Sequence, residues 1–119
     1  MFKVELDGAS KYTYPNGETI KNVIMKVLTP PEVGAKNFVM RVFELGENGF
    51  TPYHQHPWEH EVFVIEGEGE LRLAEESVYL TSNTALFIQP MEWHQFCNKG
   101  KGLFKFICVV PLSGHQTPQ

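Results

Sequence analysis

His54-Gln55-His56-Pro57-Trp58-Glu59-His60 is the stretch that decides how this chain reads. Three of the protein's five histidines lie in it, and a fourth, His94, follows in Pro90-Met91-Glu92-Trp93-His94. In a strand, residues two apart share a face, with Cα atoms about 7 Å apart. His54 and His56 form such a pair. Their imidazole arms can converge on an ion at metal–nitrogen distances of about 2.0–2.1 Å. A straight strand would carry His60 about 13 Å from His56, too far to converge comfortably. Pro57 removes a ladder donor and fits poorly inside a central strand. The spacing therefore predicts a bend at Pro57-Trp58, with His60 opening the next strand. His94 must arrive from a distant strand, which requires a closed or sandwiched sheet. A lone histidine is ordinarily structural or solvated. This cluster instead predicts that His54, His56, His60 and His94 are ligands of one divalent metal.

The rest of the chain reads as short strands separated by turns. Residues 1–36 form an arm with turn signals at Asp7-Gly8 and Pro15-Asn16-Gly17. Within it, Val23, Met25 and Val27 alternate with Asn22, Lys26 and Leu28, and Pro30-Pro31 ends the pattern. Such an arm can pair with its own sheet or with a second subunit's. Strands are expected over Asn37–Leu45, Phe50–His56, His60–Glu66, Glu70–Ala74, Val78–Leu80, Ala85–Ile88, His94–Cys97 and Leu103–Val110. Gly46-Glu47-Asn48-Gly49 is expected to turn the first of these, and Gly67-Glu68-Gly69 to make a tight hairpin. Residues 111–119 read as a loose tail. No internal repeat or convincing helical periodicity is present. Roughly nine or ten short strands with regular turns predict an all-β sandwich or barrel.

The histidine motifs resemble those of the cupin family. Its first motif is written G-x5-H-x-H-x3,4-E-x6-G. His54-x-His56, His60 and Gly67 fit it, with His60 where most members carry Glu and Gly49 one residue too near. The second motif, G-x5-P-x-G-x2-H-x3-N, is similar to Pro90-x3-His94-x3-Asn98. It is one residue short, with Thr84 and Glu92 near the places of its glycines. The stretch Asn37–Asn98 looks like the small single-domain, four-histidine cupins. The resemblance implies a single-domain double-stranded β-helix (a jelly-roll-like barrel) with an N-terminal strand arm and a metal-binding core over about 37–110. It also implies one metal (manganese, iron, nickel, copper or zinc) and frequently a homodimer. It does not imply one reaction, because many chemistries share this fold.

Length and composition narrow the function classes. The chain has 119 residues, which suits one domain. Its residues are 42% hydrophobic, and nine phenylalanines give the interior bulk without disulfide staples. The net charge of −4 argues against a nucleic-acid partner. Cys97 and Cys108 do not make a disulfide framework, and free thiols suit a reducing, cytoplasmic compartment. No signal peptide opens the chain, and no apolar run approaches the roughly 18 residues of a membrane span.

Strand parity then suggests the pocket wall. If His60 faces inward, so do Val62 and Val64, while Glu61 and Phe63 face away. If His94 faces inward, so does Phe96, while Cys97 faces away. Keeping Lys105 out turns Phe104, Phe106 and Cys108 in. The expected pocket is lined by these three with Met25, Met40 and Trp93, although each of them alone could be ordinary core. Cys108 could approach the metal, or act as a small buried hydrophobe. Arg41 and Glu61 are expected to pair on an outer face, Asn98 to fix a turn, and His115 to be solvated. Four neutral imidazoles leave the cation at +2 with open positions for water, substrate oxygens or dioxygen. These expectations describe a metal-dependent, dioxygenase-type enzyme acting on a small organic substrate, or else a non-catalytic metal or small-ligand binding module.

Overall fold

The computed structural model describes residues 1–118. Nine strands dominate it: β1 (Ser10–Thr13), β2 (Lys21–Val27), β3 (Phe38–Phe50), β4 (His60–Glu66), β5 (Gly69–Leu73), β6 (Ser77–Leu80), β7 (Ala85–Ile88), β8 (His94–Asn98) and β9 (Phe104–Pro111). They form one rolled antiparallel sheet in the order β6-β5-β8-β3-β9-β4-β7, with β2 added on β3 and β1 on β2. This is the all-β barrel that the turn spacing predicts. The N-terminal arm adds to its own sheet, where Val23 lies opposite Leu45 and Met25 opposite Phe43.

Two expected turns behave differently. Gly46-Glu47-Asn48-Gly49 does not end the strand; β3 runs for 13 residues through it. Opposite Lys21 and Val23 of β2 stand Phe50 and Leu45, so the intervening residues bulge out and pairing then resumes. Asn48 takes φ 59° in this bulge, a conformation that asparagine tolerates. The length of β3 matters. Its body pairs with β9, and its last residue, Phe50, reaches β8 opposite Cys97. One strand thus ties the two halves of the roll together.

Gly67-Glu68-Gly69 is not a hairpin. β4 pairs with β7 and β9, whereas β5 pairs with β6 and β8. The glycines instead let the chain cross between the halves. Gly67 has φ +86°, and a Cβ there would collide with the Leu103 carbonyl. The pairing partners of β4 and β5 are distant in sequence, so a local hairpin signal could not reveal them.

The inner face holds the core. Val23, Met25, Leu45, Val62, Val64, Leu80, Ile88, Phe96, Phe104 and Phe106 pack there. The parity of β4, β8 and β9 is as expected: Val62 and Val64 are buried while Glu61 and Phe63 are exposed, and Phe104, Phe106 and Cys108 all face in. β3 is read out of phase by one residue. Val39 and Arg41 are buried, and Met40 is 38% exposed. Arg41 therefore points inward and does not pair with Glu61 on the surface. Assuming that a charge must face water shifts the register by one and turns every side chain to the wrong face.

Of the expected loose tail, residues 111–119, the described part is held against the barrel, and Gln119 lies outside the described residues. A 3-10 turn, Leu112–Gly114, follows β9, and Leu112 N donates to the Asn37 carbonyl at 3.0 Å. Gly114 is buried against Trp58, and His115 is half-buried rather than solvated.

Candidate metal centre

The bend at Pro57-Trp58 is present, and β4 opens on His60. The segment before it is not the expected strand. Beyond Phe50 the chain is irregular and is pinned piecemeal to β8. Thr51 N donates to the Phe96 carbonyl at 2.9 Å, and Phe96 N donates to Thr51 Oγ1 at 2.9 Å. His54 and His94 exchange both backbone bonds, at 3.1 and 2.9 Å, as an isolated bridge. Met91 N donates to the His56 carbonyl at 2.7 Å. The His54–His56 pair thus owes its placement to β8 and the segment before it, and not to a regular strand of its own.

These restraints gather four rings. The centroids of His54 and His94 lie 4.9 Å apart, those of His56 and His94 4.9 Å, and those of His60 and His94 5.1 Å. Ligand nitrogens of His54, His56 and His94 all lie within 4.8 Å of one another, a grouping able to hold a metal ion. His60 adjoins this trio through His56, with the two Nε2 atoms 2.6 Å apart.

The outer ring nitrogens explain why the inner ones converge. His56 Nδ1 lies 3.1 Å from the Trp58 carbonyl oxygen and His94 Nδ1 2.8 Å from that of Glu92. A carbonyl only accepts, so each Nδ1 carries the hydrogen and donates. That tautomer leaves Nε2 with a free lone pair turned toward the other rings. His60 Nδ1 finds Cys108 Sγ at 3.0 Å. Cys108 is therefore neither a member of the histidine cluster nor a purely apolar filler; its sulfur orients His60. Trp58 adds a stacked face to His56, with centroids 4.3 Å apart and planes 7° apart.

His60 and His94 are buried, His56 is half-buried and His54 is exposed, yet all four rings are held neutral. His54 is lowered to about 4 and His60 to about 2, in both cases first by burial and then by neighbouring histidines. Burial also lowers His56 and His94, against the opposing pull of their carbonyl partners. Neutral imidazoles are the form that binds cations, and a set of them suits zinc, copper, iron or nickel. The donor set therefore fits a divalent transition metal.

The four histidines line a cavity of about 360 Å³. Phe106 and Cys108 line it as expected, but four other expected wall residues do not. Met40 is on the outer face. Trp93 is 40% exposed and stacks on Tyr53 at 5.1 Å, outside the cavity. Met25 is fully buried beneath Arg41, within 3.8 Å of its Nη1. Phe104 is fully buried and packs on Phe106 with centroids 5.3 Å apart. Both are one layer deeper than the wall. Arg41, Tyr14, Trp58 and the tail residues Gly114 and Gln116 line it instead. The carbonyl acceptors and the tail carry no side-chain signal, so only the fold reveals them.

Residues 41–110 match the family model described as the cupin domain. The chain belongs to the cupin family. This cupin is similar in structure to the polyketide cyclase RemF from Streptomyces resistomycificus, with a TM-score of 0.86 and 29% identity over 100% of this chain and 82% of that one. A cupin 2 conserved barrel domain protein from Rhodopseudomonas palustris gives 0.80 and 25% over 99% and 83%. A cupin-2 domain protein from Rhodospirillum rubrum gives 0.82 at 22% identity, which speaks for the cupin fold alone. No curated protein matches this cupin. No helix among the described residues is long and apolar enough to cross a membrane.

Proposed function

We propose that this cupin is a metal-dependent enzyme that holds one divalent transition metal with His54, His56, His60 and His94 and acts on a small organic molecule beside it. One observation carries the reading: with their Nδ1–H groups held by the Trp58 and Glu92 carbonyls, His56 and His94 have free Nε2 lone pairs, and the ligand nitrogens of His54, His56 and His94 lie within 4.8 Å of one another on the wall of a substrate-sized cavity. When bound, such a cation supplies Lewis acidity toward substrate oxygens and, if redox-active, a partner for dioxygen. The chain's own residues do the rest. Cys108 and the two carbonyls fix the ring orientations. Trp58 stacks on His56 and, with Gly114 and Gln116, forms part of the cavity wall.

Dioxygenase-type chemistry is the first reading, because no Asp or Glu lines the cavity to serve as a general base. A second reading, redox-neutral ring closure of a keto compound, is favoured by the likeness to a polyketide cyclase over 82% of that protein's length. Protein reconstituted anaerobically with iron, manganese, nickel, copper or zinc separates them. Oxygen uptake with a panel of diols and phenols supports the first, and anaerobic conversion of poly-β-keto compounds supports the second. No turnover of either panel with any metal would leave a non-catalytic binding module as the better account.

We also read the protein as a cytoplasmic homodimer. Phe38 and Met40 of β3, Phe63 of β4 and Phe87 of β7 are exposed on the outer side of one sheet, an apolar face suited to a second copy. A monomeric mass in sedimentation equilibrium would remove that part of the reading.

A further inference from the structure

Arg41 is the unexpected member of the cavity wall. It is 5% exposed, on the inner face of β3. Its Nη2 donates to Cys108 Sγ at 3.3 Å and its Nη1 to Met25 Sδ at 3.8 Å, while Nε has no partner. Its guanidinium carbon lies 5.2 Å from the Phe43 ring centroid. Guanidinium is always charged and offers five N–H donors. Sulfur is a weak acceptor, so these contacts leave the charge poorly matched. No carboxylate compensates it. The three ion pairs among the described residues involve Lys26, Lys105, Glu44 and Glu66, and none involves Arg41. A buried cation without a counter-ion is costly, and natural proteins ordinarily pair it.

The surroundings make the mismatch larger. The cavity lining contains neither Asp nor Glu. Trp58 Nε1, on the same wall, is a second buried donor without a partner. Tyr14 lines the cavity too, and burial raises its phenol, which stays protonated and able to donate. Cys108 Sγ touches both Arg41 and His60, so the guanidinium and the histidine cluster are separated by a single thiol. If the histidines hold a divalent cation, on which this inference rests, positive charge and hydrogen-bond donors line the cavity with no protein anion among them. Apart from Thr51 and Gln116 the remaining wall is apolar, and Phe43, Phe96 and Phe106 make its aromatic part. Phe96 and Phe106 stack at 4.3 Å, and Phe43 and Phe106 at 5.6 Å.

We propose that the cavity takes a small aromatic acid, with its anionic oxygens between Arg41 and the metal and its ring among Phe43, Phe96 and Phe106. Carboxylates and ionised phenols share this chemistry. The acid supplies the acceptors and the negative charge that the chain itself withholds from Arg41. A neutral molecule of the same shape would leave the guanidinium unmatched.

Calorimetric titration of zinc-loaded protein with benzoate, 4-nitrophenolate and the neutral isostere benzamide tests this. At least one anion should bind roughly tenfold or more tightly than benzamide, and the tighter of the two names the acid. Arg41→Gln should lose most of that preference while its zinc content stays the same. Metal-free wild-type protein, which needs no substitution, should keep part of the preference because Arg41 remains. Equal binding of all three probes would overturn the proposal. So would an undiminished preference in Arg41→Gln, or none in the metal-free protein, since either would assign anion selection to the metal alone. Failure to take up zinc, with the preference intact, would refute the metal centre and leave the acid site standing.

Discussion

Replacing Asn98 by alanine removes a clamp whose contribution can be worked out from its contacts. Asn98 is 4% exposed at the end of β8. Its Nδ2 lies 2.9 Å from the Leu45 and Gly46 carbonyls and 2.8 Å from that of Gly102, and Gly100 N donates to its Oδ1 at 2.9 Å. An amide has only two hydrogens for three carbonyls. The set therefore amounts to about three good hydrogen bonds, each contributing about 1 kcal/mol net. Asn98→Ala should cost about 3 kcal/mol. A chain of this length loses about 4 °C of Tm per kcal/mol, so the melting temperature should fall by about 12 °C. Asn98→Asp is the sharper variant. It keeps the shape but turns acceptor oxygens toward three carbonyls, and it should destabilise at least as much. Calorimetric melts and urea titrations read both. A loss below about 1 kcal/mol, or an Asn98→Asp melt like that of the wild type, would refute the reasoning. Below the transition both variants should still bind metal, because the His54–His94 bridge and the β5–β8 ladder do not depend on this amide.

Three further outcomes follow from other contacts. Gly69→Ala would place a Cβ within 2.8 Å of Phe104 Cδ2 and nearer still to the ring's far edge. Phe104 is fully buried and cannot yield, so denaturant midpoints should report a loss of about 1–3 kcal/mol. Metal-free protein should lose stability as pH falls from about 6.5 toward about 4. The unfolded chain takes up protons on its histidines in that window, while folded His54, at about 4, and His60, at about 2, do not. Stability that is flat or rising on acidification through this window would contradict the assignment. Cys108 should resist alkylation in the native protein, because burial raises its thiol, and become reactive only on unfolding.

The sequence exposes those parts of the fold that depend on short-range alternation. β4, β8 and β9 are half-buried strands, and the side of each is evident once one inward residue is known. The bend at Pro57 is equally legible, since proline acts locally. What stays hidden depends on distant partners. The β4–β5 crossing looks like a hairpin because two glycines serve either purpose. Arg41 looks like a surface residue because the expected cost of burying charge argues against its true position, and that same cost makes it informative once seen. The acceptors behind His56 and His94 are backbone carbonyls, which any residue could supply. The tail seals against Trp58 through Gly114, where only the lack of a side chain permits the contact.

X-ray absorption at the zinc edge of the reconstituted protein tests the central claim most directly. Four imidazoles about one cation predict a nitrogen or oxygen shell at about 2.0–2.1 Å, with the outer-shell scattering of about four histidine rings and no sulfur shell at about 2.3 Å. His56→Ala should lose one ring from that pattern and weaken zinc uptake. A sulfur shell from Cys108, scattering from one ring or none, or zinc uptake untouched by His56→Ala would contradict the account.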